Sequence, residues 1–173
     1  TPVVLMGYLN PVEVIGYEKF VAYAKDCGVD GVLLVDLPPE ASQQLGEVLK
    51  QNGMDQIFLL APTSTDQRIQ HVVNHASGFV YYVSLKGVTG AATLDTSEAA
   101  ARIAKIKTMT NVPVGVGFGI SDAASAKAMG QVADAVIVGS AFVKSFATLP
   151  ADDAVQETVN KVKELRAALD ELV

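Results

Sequence analysis

Six short apolar runs punctuate the chain: "PVVLMGY" (2–8), "DGVLLVD" (30–36), "QIFLLA" (56–61), "GFVYYVS" (78–84), "VPVGVGF" (112–118) and "DAVIVG" (134–139). They are apolar continuously rather than at alternate positions, as strands covered on both faces are. Between them, apolar residues recur at helical spacing. Val14, Tyr17, Phe20, Val21, Ala24 and Cys27 share one face of a first predicted helix, which makes Cys27 a core residue. Val155, Val159, Val162, Leu165 and Leu169 do the same in the last. Gly28, Gly53 and Gly130 stand where helix C-caps are expected. Thr96, Ser121 and the capping-box spacing of Ser64 and Gln67 mark helix starts.

Strand followed by helix, unit after unit, predicts a parallel α/β sheet with right-handed crossovers. Six units fit one domain over residues 1–173. A closed barrel of this kind needs eight strands and at least ~200 residues. The pattern therefore leaves two architectures open, three quarters of a (β/α)8 barrel or an open doubly wound sheet. The chain opens on Thr1-Pro2 and is inside a strand by Val3, so an upstream segment is expected.

Composition narrows the class. Half of the residues are apolar, which excludes disorder, and the net charge of −6 argues against nucleic acid or anionic lipid as partner. No apolar run approaches the ~20 residues of a membrane span. The single cysteine, Cys27, offers no disulfide framework and suits a cytoplasmic protein.

In either architecture ligands bind at the carboxyl ends of the strands. Three glycine-bearing turns fall there: Gly87 and Gly90, Gly119, and Gly139 with Ser140 ahead of a short helix, "SAFVKSF" (140–146). Glycine lets backbone N–H groups approach an anion, and a helix N-terminus adds unpaired donors and partial positive charge. Barrels often hold a phosphate between the loops after their last two strands and a short extra helix. One such turn would signify only a tight connection; three at the same sheet end favour a phosphate site. Other chemistry is weaker. His71 and His75 have a zinc-compatible spacing but no third ligand nearby, so no metal is expected. Lys86 and Lys144 read as solvated surface lysines.

The motifs "LMGYLNP", "VDLPPE", "YYVSLKGVTGA", "VGFGIS" and "VGSAFVK" occur in this order at the strand ends. Together they resemble the alpha subunit of tryptophan synthase over essentially the whole chain. The resemblance implies a (β/α)8 TIM barrel, here six consecutive βα units corresponding to strands 3–8. It implies a lyase of tryptophan biosynthesis that cleaves indole-3-glycerol phosphate to indole and glyceraldehyde 3-phosphate. The phosphate would be held around Gly90, Gly119, Gly139 and Ser140. Met6, Leu33, Leu60, Tyr81 and Phe118 would line the indole pocket, and Gly87 and Thr89 would belong to the mobile loop that closes over substrate. Asn10 and Pro38 would face the beta subunit of an alpha2-beta2 complex, with Asp36 relaying between subunits. No cofactor is implied in this chain; pyridoxal phosphate belongs to the beta subunit. The family's catalytic glutamate and aspartate would lie upstream of Thr1, so these residues alone are expected to be inactive. Two rivals remain: a non-catalytic phosphate- or partner-binding fragment, and another phosphate-binding barrel such as a sugar-phosphate isomerase. The apolar outer strands "PVVLMGY" and "DAVIVG" would have unpaired edges and invite self-association.

Overall fold

The computed structural model describes residues 1–83, 96–117 and 119–172. These form β1 (Val4–Gly7), β2 (Gly31–Leu34), β3 (Asp55–Leu60), β4 (Val80–Val83), β5 (Val114–Gly117) and β6 (Ala135–Ile137), one at each apolar run. The helices are α1 (Leu9–Ile15), α2 (Tyr17–Asp26), α3 (Gln43–Gln51), α4 (Asp66–His75), α5 (Thr96–Lys107), α6 (Ala123–Gly130), α7 (Ser140–Thr148) and α8 (Ala151–Asp170). The sheet order follows chain order from β1 to β6, and β1–β2, β2–β3 and β5–β6 pair in parallel. A doubly wound sheet reverses its strand order at a switch point. Here no reversal occurs, so the architecture is six consecutive units of a (β/α)8 barrel.

The chain divides into two compact units, residues 1–81 with 107–113, and residues 82–106 with 114–173. In the first, Val32 and Leu34 of β2 pack with Val12, Val21 and Ala24 of α1 and α2 and with Leu45 and Leu49 of α3. Each buried aliphatic side chain contributes on the order of 1.5–3 kcal/mol. In the second, α8 lies against α6 and α7, burying Ala126, Met129, Ala154, Leu165 and Ala168. Aspartates pin the strand starts. Asp30 N–H donates to Val3 O at 2.8 Å, and its Oδ2 accepts from Val3 N–H at 2.6 Å. Asp134 repeats both bonds with Val114, each at 2.9 Å.

Several local expectations change. The first predicted helix is two, because Gly16 at φ +88° and ψ 140° breaks it. The helical phase does not carry across that break, and Val14 is 89% exposed. Cys27 is exposed rather than core, since α2 ends at Asp26 and Gly28 at φ +78° turns the chain away. The stripe on α8 is buried only in its last turns: Val155, Val159 and Val162 are exposed, while the buried line runs through Ala154, Leu165 and Ala168. Small residues there allow close helix approach. Gly130 serves the same packing and is not a cap, because a Cβ on it would lie 2.5 Å from Leu169 Cδ2. The cap falls on Gln131. Thr65, not Ser64, caps α4 by accepting Arg68 N–H, and Asp122, not Ser121, caps α6 in a reciprocal box with Ser125.

Candidate ligand site at the carboxyl ends of the strands

The first unit supplies an apolar wall. Register pairs Met6 with Leu33 and Leu33 with Ile57, so these side chains form one row on one sheet face. Leu33 is buried, whereas Met6 is 60% exposed. Their neighbours Val32 and Leu34 point the other way, into the helices. Leu60 follows Ile57 by three residues, an odd number, which places it on the helix-facing side with Gln56 and Phe58. That assignment agrees with Gln56, whose amide oxygen lies against Gly46 of α3. Leu59 therefore shares the face of Leu33, and alternation along β3 was the signal that could have found it. Tyr81 is half-buried on β4, and burial raises the pKa of its phenol, keeping it neutral.

The two expected partner-facing stretches touch each other. Asp36, just past β2, accepts the N–H of Leu9, the first residue of α1, at 2.7 Å. Tyr8 gives α1 no side-chain cap, so this carboxylate caps it and meets the positive end of the helix dipole. Asn10 is exposed on α1, and Pro38 is exposed ahead of a 3-10 turn, Pro39–Ala41. Glu40 in that turn takes two hydrogen bonds from Arg68 Nη1, at 2.9 and 3.2 Å. Its own backbone N–H, and then Arg68, hold its carboxyl below the usual range.

The second unit supplies backbone donors. Gly119, after β5, has φ +76°, a conformation that a side chain disfavours. Gly139 is the N-cap of α7 at φ −120° and ψ −79°, and no side chain caps that helix. Among the described residues, no group accepts the N–H of Ser140 or Ala141. Among the described residues, a Cβ on Gly139 would meet nothing within 4 Å. Open donors at the N-terminus of a helix suit an anion. Gly87, Thr89, Gly90, Phe118 and the decoy Lys86 lie outside the described residues. His75 Nδ1 is 2.8 Å from His71 O, an ordinary intrahelical contact.

Parallel strand–helix units wound in chain order define a (β/α)8-barrel protein. The family profile described as tryptophan synthase alpha chain matches residues 1–172. A tryptophan synthase alpha chain from Acinetobacter baumannii is 88% identical over all 173 residues, which span 65% of that relative. The crystal structure of tryptophan synthase subunit alpha from Legionella pneumophila superposes with TM-score 0.86 at 35% identity, over 99% of this chain and 63% of that one. The structure of Mycobacterium tuberculosis tryptophan synthase gives TM-score 0.86 at 34% identity, over 97% and 62%. The chain belongs to the tryptophan synthase alpha chain family, and it spans about two thirds of the length of the curated relatives it matches.

Proposed function

We propose that these residues form the phosphate-binding, indole-contacting and partner-facing part of an enzyme that cleaves indole-3-glycerol phosphate to indole and glyceraldehyde 3-phosphate. The observation that carries this reading is the family match over residues 1–172 joined to the open α7 N-terminus at Ser140. Backbone N–H groups of Gly119, Gly139, Ser140 and Gly90 hold the phosphate, and α7 contributes its partial positive charge. Met6, Leu33, Tyr81 and Phe118 enclose the indole ring, with Leu59 more directly placed than Leu60. Bond cleavage needs an acid to protonate indole C3 and a base to take the glycerol hydroxyl proton. Asp36 is not that pair, because its carboxylate caps Leu9 N–H. It acts with Asn10 and Pro38 at the surface that meets a beta subunit, which carries the pyridoxal phosphate; the alpha reaction uses no cofactor. The two units work as one barrel domain. Cytoplasmic placement follows from the same reading, and no helix among the described residues is long and apolar enough to cross a membrane.

A chimera tests the assignment. These residues are joined to the upstream segment of the Acinetobacter baumannii relative, and indole release is followed from indole-3-glycerol phosphate. The chimera releases indole and the 173-residue chain alone does not. A folded chimera that fails to release indole contradicts the proposal. Release by the chain alone would place the acid and base among these residues.

A further inference from the structure

From Asp36 to Glu40 the chain alternates between surface and core: Leu37 and Pro39 are buried, while Asp36, Pro38 and Glu40 are exposed. The turn that follows closes on its own backbone. Ala41 N–H donates to Pro38 O at 3.0 Å, and Ser42 N–H to Pro39 O at 3.2 Å. Buried Ser42 Oγ donates to the same Pro39 carbonyl at 2.9 Å. The exposed side is tied at two points. Asp36 accepts from Leu9 at the start of α1. Glu40 accepts from Arg68 in the first turn of α4, whose Nη1 reaches Oε1 at 3.2 Å and Oε2 at 2.9 Å. Pro38 lies midway between the two ties.

Helix α4 has no use of its own for a cation at this position. A helix N-terminus carries partial positive charge, which opposes an arginine there and favours a residue such as Asp66. The cap needs only the backbone of Arg68, whose N–H donates to Thr65 Oγ1 at 3.2 Å, a bond that any residue but proline would supply. The side chain reaches instead across 28 residues of chain to the turn. His71 Nδ1 on the same helix is 3.7 Å from Glu40 Oε1, beyond hydrogen-bond distance. The tie to α4 is therefore Arg68. Both partners are partly exposed, and an exposed ion pair adds little to the stability of a fold. It can still narrow the conformations of the turn it holds, and a surface ordered before docking loses less entropy when a partner docks.

We propose that Arg68 is a positioning residue for partner docking: by holding Glu40 it fixes the turn on which Pro38 is presented to the beta subunit. The inference rests on the partner-facing reading of Asn10, Asp36 and Pro38. The test has two arms, both on the full 173-residue chain. Amide hydrogen exchange by NMR reads the turn at Ala41 and Ser42, with Ile69, bonded to Thr65 O, reporting on α4. Titration with the beta subunit of Acinetobacter baumannii tryptophan synthase reads docking. Arg68→Ala speeds exchange at Ala41 and Ser42 and weakens docking, each about fivefold, the upper worth of an exposed ion pair. Exchange at Ile69 stays as in the parent. Arg68→Lys, which keeps the charge, recovers part of both losses. Glu40→Gln reproduces them, and the double variant Glu40→Gln with Arg68→Ala loses no more than either single one, because both act on one contact. Unchanged exchange at Ala41 and Ser42 in Arg68→Ala, docking equal to the parent's, or losses that add in the double variant would overturn the inference and leave the partner reading standing. A parent chain that does not dock overturns the partner reading, and the docking role of Arg68 with it, even where exchange in the turn responds.

Discussion

Asp36 Oδ1 accepts the backbone N–H of Leu9 at 2.7 Å, across 27 residues of chain. The bond ties the end of β2 to the start of α1, a helix whose own N-cap residue, Tyr8, gives no side-chain cap. It also joins the "YLNP" and "DLPPE" stretches, so movement in one is felt by the other.

Replacing this cap has a defined cost. Asp36→Ala destabilises the chain by about 1 kcal/mol, the usual value for a lost N-cap, and accelerates hydrogen exchange at the Leu9 amide. Asp36→Asn keeps an acceptor oxygen and recovers most of the stability. If the proposed partner surface is right, both variants also weaken beta-subunit binding in a pull-down titration, the alanine variant more.

The corrected face of β3 makes a second prediction. Leu60 is buried on the helix side, so Leu60→Ala costs about 2–5 kcal/mol of stability. Leu59→Ala costs less, because Leu59 is only partly buried, yet it weakens indole binding more. Urea melts and an indole titration of both variants separate the two roles; the reverse pattern would restore Leu60 to the pocket.

Acid should loosen the start of α6. The backbone N–H of Ser125, then its hydroxyl, hold the Asp122 carboxyl below its usual value. A depressed carboxylate stabilises the fold above its unfolded pKa of ~3.9 and loses that contribution as pH falls through the folded value. Asp122→Ala therefore costs about 1 kcal/mol at pH 7. The difference between variant and parent closes below pH ~4. Paired denaturation curves at the two pH values check it.

Strand β1 leaves Val4, Leu5 and Met6 between 39% and 60% exposed. A consecutive apolar strand at an open edge pairs with other chains. Sedimentation velocity on the 173-residue chain shows concentration-dependent association, and Val4→Lys suppresses it.

All six strands and their parallel pairing were legible in the sequence, because continuous apolar runs have few other meanings and their spacing left room for helices between. The choice between barrel and doubly wound sheet was not, since strand order is set by long-range pairing that periodicity does not encode. Val14 misled because helical phase was carried across the break at Gly16, and Cys27 because α2 ends one residue before it. Val155, Val159 and Val162 have core-like spacing, but α8 buries its alanine line instead. The turns at Gly119 and Gly139 were legible because strand ends and glycines are local signals. Leu60 went astray by one position, which in a strand changes the face.

The most direct test of the central claim is a titration of the chain with glycerol 3-phosphate, following backbone amide signals by NMR. The account predicts saturable shifts at Gly119, Gly139 and Ser140, lost in Gly139→Ala without loss of fold, since among the described residues a methyl there meets nothing within 4 Å. Absence of shifts at these amides, or saturation that leaves them unmoved, would contradict it.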